Sequence, residues 1–109
     1  MQKLYIYGVE NLMYQIEFTD SAEEDLGYFK KYEQIIILDE ADKQLLWEHS
    51  KETRNRKQLA PNDLSVWELR IGEYRLFYDV NESDKTVKVK AVGRKRHNQL
   101  FIRGKVFNL

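Results

Sequence analysis

Three groups of basic residues give this sequence the means to act on an anion. The first is Arg54-Asn-Arg-Lys57, contributing Arg54, Arg56 and Lys57. The second is Arg70 with Arg75. The third is Arg94-Lys-Arg-His97, which follows Lys88 and Lys90 and supplies Arg94, Lys95, Arg96 and His97. Cations of this kind neutralise phosphates, and a ring beside them, here Phe101, can stack on a base. His97 adds an imidazole, the side chain most often used as a general base. Together they read as an RNA- or anion-binding face. A plainer reading stands beside it: Arg70 and Arg75 can pair with Glu68, Glu73 or Asp79 across neighbouring strands. Lys88 and Lys90 then serve only as solvated residues, and Trp47 and Trp67 as core.

Other chemistries lack their residues. The chain has no Cys, so it has no disulfide, thiolate metal site or Cys nucleophile. His49 and His97 are far apart, and no HExxH, Gly-rich phosphate loop or GxSxG elbow occurs. No metal and no cofactor are expected.

The elements that must carry these groups follow from periodicity. Tyr14-Gln-Ile-Glu-Phe-Thr19 alternates and predicts a strand. Ser21 with Glu24 fits a capping box opening a helix over about 22–31, with Ala22, Leu26 and Phe29 on one face. A second helix is expected over about 33–52. The polar stretch 54–65, holding the only Pro, reads as a loop. Trp67, Leu69 and Ile71 alternate with Glu68 and Arg70, and Gly72-Glu73 turns the chain into a second strand over 74–80. A third strand covers 86–92, residues 94–98 form a basic loop or short helical turn, and 100–107 supply a last strand. The expected architecture is α+β and two-layered. An N-terminal strand and two helices pack on a mainly antiparallel sheet of four to five strands.

The 109 residues suit one domain. The formal net charge is zero, but it is unevenly spread. Residues 1–52 hold 5 Lys/Arg against 12 Asp/Glu, and residues 53–109 hold 13 against 6. A basic second half can attract a polyanion despite the neutral mean. No stretch is apolar enough to span a bilayer, and the N-terminus lacks a secretory pattern, so no membrane association and a cytoplasmic location are expected.

The segment Trp67-Glu-Leu-Arg-Ile-Gly-Glu-Tyr-Arg-Leu-Phe-Tyr78 resembles the central hairpin of RelE/ParE-superfamily toxins, in which a strand ending Leu-Arg turns through Gly into Tyr-Arg. Ala91-Val-Gly-Arg-Lys-Arg-His97 resembles the strand and basic loop that follow, and Tyr14–Ala22 the opening strand and helix cap. The likeness covers residues 13–109. Residues 1–12 then form an extension, with a possible strand at Leu4–Tyr7, or reflect a start that belongs at Met13.

The resemblance implies a toxin of a type II toxin–antitoxin pair, with a cognate antitoxin as partner. For RelE-like members it implies cleavage of mRNA in the ribosomal A site without a metal. The 2′-hydroxyl attacks the adjacent phosphate and leaves a 2′,3′-cyclic phosphate. By position, Arg75 takes the arginine that contacts the scissile phosphate, Lys95 a second basic role, His97 a catalytic basic role, and Phe101 the place of a functional tyrosine. Lysines of RelE on the preceding strand are replaced by Val66 and Glu68. Two alternatives remain: a non-enzymatic, ParE-like inhibitor of DNA gyrase, or an inactive relative that binds only its antitoxin or RNA.

Overall fold

The computed structural model describes residues 14–46 and 49–109. The expected extension at 1–12, its strand at Leu4–Tyr7, and Trp47 lie outside the described residues. The order is β1 (Gln15–Phe18), α1 (Asp20–Gly27), α2 (Lys31–Leu45), β2 (Arg56–Gln58), β3 (Trp67–Ile71), β4 (Tyr74–Asn81), β5 (Thr86–Arg96), β6 (Gln99–Ile102) and β7 (Lys105–Phe107). Among the described residues the strands form one seven-stranded sheet in the order β2-β3-β4-β5-β6-β7, with β1 pairing β5. The β1–β5 pair is parallel and the others are antiparallel. The helices cover one face, so the α+β, two-layer expectation holds.

The sheet is wider than the four to five strands expected. Part of the polar stretch 54–65 pairs as β2 with β3. Residues 94–96 continue β5 instead of looping, and 99–107 fold as a hairpin. The 94–98 expectation fails at its turn. His97 and Asn98 both have positive φ (52° and 65°) between the paired Arg96 and Gln99. That is a two-residue hairpin turn built without the glycine that ordinarily signals it.

Both helices start and stop earlier than expected. Thr19, not Ser21, caps α1; its Oγ1 accepts from the Ala22 N–H at 3.1 Å. Ser21 instead accepts from Arg103 Nη2 at 3.1 Å. For α2, Glu33 at its first turn accepts from the Lys30 N–H at 3.0 Å. Arg56 ties the last turn of α2 to the chain that follows. Its Nη1 reaches Gln44 O (3.3 Å) and Gln44 Oε1 (2.7 Å), and its Nε reaches Lys51 O (3.1 Å).

The main core lies between helices and sheet: Ala22, Ile37, Ala41 and Leu45 meet Leu69, Leu76, Tyr78, Val87, Val89 and Val92. The buried Tyr78 hydroxyl donates to His49 O at 2.6 Å, and its ring stacks on Trp67. A smaller cluster of Phe77, Ala91 and Leu100 sits on the opposite face under Leu59 and Leu64.

One edge of β5 is shared between elements. β1 pairs with Thr86–Val89 and β6 with Arg94–Arg96. In the gap, buried Asp25 of α1 accepts the Val92 N–H through Oδ2 at 3.0 Å. Its Oδ1 accepts from Arg103 Nε at 2.6 Å. Asp25→Ala strands a buried donor and a guanidinium, and is expected to cost roughly 1–3 kcal/mol. Urea unfolding is the check: the midpoint falls at unchanged m-value, whereas Arg103→Ala, at a half-exposed side chain, falls less.

Candidate functional site: a cationic open face

The face of the sheet turned away from the helices carries the charged hairpin. Along β4, Tyr74, Leu76 and Tyr78 turn to the helices, so Arg75 and Phe77 turn away. Arg70 stands opposite Arg75 across the β3–β4 hairpin. Its two-residue turn needs glycine at the first position, where Gly72 has φ +58°. Two guanidiniums would repel one another here, and Glu68 resolves the conflict. It is only 4% exposed. Its Oε1 accepts from Arg70 Nε at 3.0 Å, and its Oε2 lies 3.8 Å from Arg75 Nε. The carboxylate therefore holds both arginines, and the cross-strand pairing anticipated from the sequence is present.

Arg75 is the more enclosed of the two, with its side chain 13% exposed. Burial lowers the affinity of its guanidinium for a proton; Glu68 opposes that and Arg70 adds to it. Its Nη1 donates to Gly72 O (2.8 Å) and Tyr74 O (2.9 Å), so the side chain leans toward the hairpin turn. Its Nε has no hydrogen-bond partner among the described residues. Lys95 belongs to the same face and the same end. It pairs with Leu100 of the open-face cluster, and its N–H donates to Glu73 O of that turn at 2.7 Å. His97 follows two residues on, exposed in the β5–β6 turn at φ 52°. Gly93 stands opposite Arg75 and is closely covered by Leu100, Phe101 and Ile102 of β6. A Cβ there would meet Phe101 O at 2.7 Å. Lys57 of β2 stands opposite Glu68.

The remaining nominated residues are placed elsewhere. Arg56 is buried as the tie to α2, and Arg54 is exposed on the loop before β2. Strand alternation sends Arg94 and Arg96 to the helix side, with Phe101 opposite Arg94. Arg94 lies 5.3 Å from the Phe29 ring centre and 5.4 Å from that of Tyr74. It pairs with Glu33, and the Tyr74 hydroxyl donates to the same carboxylate at 2.9 Å. Arg96 pairs with Glu73 at 3.2 Å. Phe101 is thus not brought to Arg75. Sequence reasoning could have found this split, since alternation within β5 separates Lys95 from its two neighbours; reading 94–98 as a loop concealed it. It also passed over Glu33 and Asp25, whose role as buried anchors depends on contacts 61 and 67 residues away.

Among the described residues no group of three His, Asp or Glu is gathered to hold a metal. No helix there is long and apolar enough to cross a membrane. What the open face offers is a group of cations, Lys57, Arg70, Arg75 and Lys95, next to the turn that carries His97.

Glu33 gives a pH signature to the helix-side anchor. Burial alone would raise its pKa, but the Lys30 N–H, the Tyr74 hydroxyl and Arg94 outweigh that and hold it below the ordinary carboxylate range. Its contribution to stability is therefore complete above the unfolded value of about 4.3 and is lost as pH falls through the lower folded value. Glu33→Gln is expected to reduce stability at pH 7 and to flatten the decline between about pH 5 and 3. Denaturation midpoints across that range, wild type beside variant, provide the check.

Comparison with known proteins bears on this geometry. The family model for the ParE toxin of the type II toxin–antitoxin system, parDE, matches residues 16–99. No curated protein matches the chain. Among solved structures, the toxin–antitoxin complex RelBE2 from Mycobacterium tuberculosis is similar at a TM-score of 0.67 and 25% identity, over 77% of this chain and 93% of that one. The archaeal RelE–RelB complex from Pyrococcus horikoshii OT3 is similar at 0.59 and 23% identity, over 73% and 92%.

Proposed function

The chain belongs to the ParE toxin family of type II toxin–antitoxin systems, and we propose on that premise that its open face binds and cleaves mRNA on the ribosome. The observation that carries the reading is the buried Glu68 holding Arg70 and Arg75 side by side, with Lys95 at the same end of the face. Preorganised cations stabilise charge that develops on a phosphorane without reorganising at the moment of reaction.

In this reading Arg75, leaning to the hairpin turn, and Lys95 hold the non-bridging oxygens of the scissile phosphate. His97 takes the proton of the 2′-hydroxyl as that oxygen attacks phosphorus. The bond to the 5′-oxygen breaks, the departing oxygen receives a proton from Lys95, and a 2′,3′-cyclic phosphate remains. Arg70, Lys57 and Arg54 bind flanking phosphates. Arg94, Arg96 and Phe101 contribute through the hairpin that carries Lys95 and His97. A cognate antitoxin is the protein partner, and the cytoplasm is where toxin, ribosome and transcript meet.

A second reading has its own support. Both oxygens of Glu68 are turned toward arginines, so the face is poor in proton-transfer groups. A non-catalytic toxin acting on DNA gyrase through the same cations fits that poverty.

Inducible expression in bacteria separates the two. Growth arrest with new 5′ ends inside translated codons is expected for the wild type. Arg75→Ala and His97→Ala are each expected to lose the ends and the arrest while remaining folded. Arrest with intact transcripts and altered DNA supercoiling selects the second reading; unimpaired cleavage in both variants refutes the assigned roles.

A further inference from the structure

Half of the basic motif at 94–97 turns away from the open face, and it lines a cavity of its own. Tyr28, Phe29 and Phe101 form aromatic walls, with Lys30, Arg94 and Arg96 around them, enclosing about 330 Å³ on the helix side of the sheet. Arg94 is fixed at the back by Glu33 and by the rings of Phe29 and Tyr74. Its Nε is buried with no hydrogen-bond partner among the described residues. Arg103, also at the wall, is committed to Asp25 and Glu24. The cations with donors to spare stand at the rim. Arg96 touches Glu73 through Nε, and the described residues give Lys30 no ion pair. The wall is close-fitted. Gly104 has φ +76°, and a Cβ there would fall 2.6 Å from the Tyr28 hydroxyl.

Apolar side chains are exposed at the pocket wall and on α2. Tyr28 is 64% exposed, and Tyr32 and Ile36, one turn apart on α2, are 59% and 42% exposed. Exposed apolar side chains at and near a preformed pocket mark a protein contact. A nucleic acid would look for unpaired cations along a track, and most of the cations here are already neutralised by this chain's own carboxylates.

We propose that this cavity docks a peptide segment of a protein partner in which an aromatic or branched aliphatic residue is flanked by carboxylates. The apolar side chain enters between Tyr28, Phe29 and Phe101. The flanking carboxylates meet Lys30 and Arg96 at the rim. The pocket lies across the sheet from Arg75, so it can be filled while the open face is occupied, and it does not depend on what that face binds.

The test uses the whole isotope-labelled chain and the acetylated, amidated hexapeptide Asp-Glu-Phe-Leu-Asp-Glu. Its counterpart with lysine at the four acidic positions serves as control. The acidic peptide is expected to shift amide resonances of residues 28–33, 94–96 and 101–104. The lysine peptide is expected to bind about tenfold more weakly, and Lys30→Glu to weaken the acidic peptide about fivefold. Tyr28→Ala, at an exposed wall, is expected to weaken both the shifts and the affinity. Equal binding of the two peptides, shifts confined to the Arg70–Arg75 face, or no shift at millimolar peptide would overturn the proposal. So would displacement of the peptide from these resonances by a short oligouridine, which would assign the pocket to RNA.

Discussion

The fold turns on a strand edge that no single neighbour covers. β5 is paired with β4 along one side, but its other side is divided between β1 and β6. Between them a backbone donor would be left buried, and an unpaired buried N–H costs about as much as a lost hydrogen bond. Asp25 fills the gap from α1, and Arg103, on the β6–β7 turn, accompanies its charge. One carboxylate thus fastens the first helix, the central strand and the last hairpin together. The hairpin carrying His97 is held in place by the same contact.

Charge is managed by the same device on both faces. On the open face Glu68 sits between Arg70 and Arg75; on the helix face Glu33 sits between Arg94 and Tyr74. In each case a mostly buried carboxylate is supplied with cationic or hydroxyl donors, the condition under which a charge can leave water. The two sites differ in what remains available. The open face keeps Lys95, Arg70 and an underused Arg75, whereas the helix face keeps aromatic walls and a thin cationic rim.

The sequence made the meander legible because Trp67–Tyr78 alternates cleanly and Gly72 marks its turn. The Arg70–Arg75 pairing followed from that alone. The toxin resemblance rested on these residues together with Tyr14–Ala22 and Ala91–His97, and the family match over residues 16–99 agrees with it. The β5–β6 turn was not legible, since His97-Asn98 adopts positive φ without glycine. Once that turn was read as a loop, the alternation that parts Lys95 from Arg94, Arg96 and Phe101 disappeared. Helix ends were misplaced for a related reason. Thr19 and Ser21 are both competent caps, and the choice was made by Arg103, more than eighty residues away, which engages Ser21. The role of Arg56 was hidden too, because a loop arginine and a buried tie to α2 look alike in one dimension.

The proposed site of a phosphodiester is the Arg70–Arg75–Lys95 face. It is tested most directly by the crystal structure of the chain with a 2′-O-methyl oligoribonucleotide, which cannot undergo 2′-hydroxyl attack. A phosphate is expected between Arg75 and Lys95, with Glu68 still holding both arginines and His97 beside the sugar. A phosphate seated instead among Arg94, Arg96 and Phe101 on the helix side would contradict it.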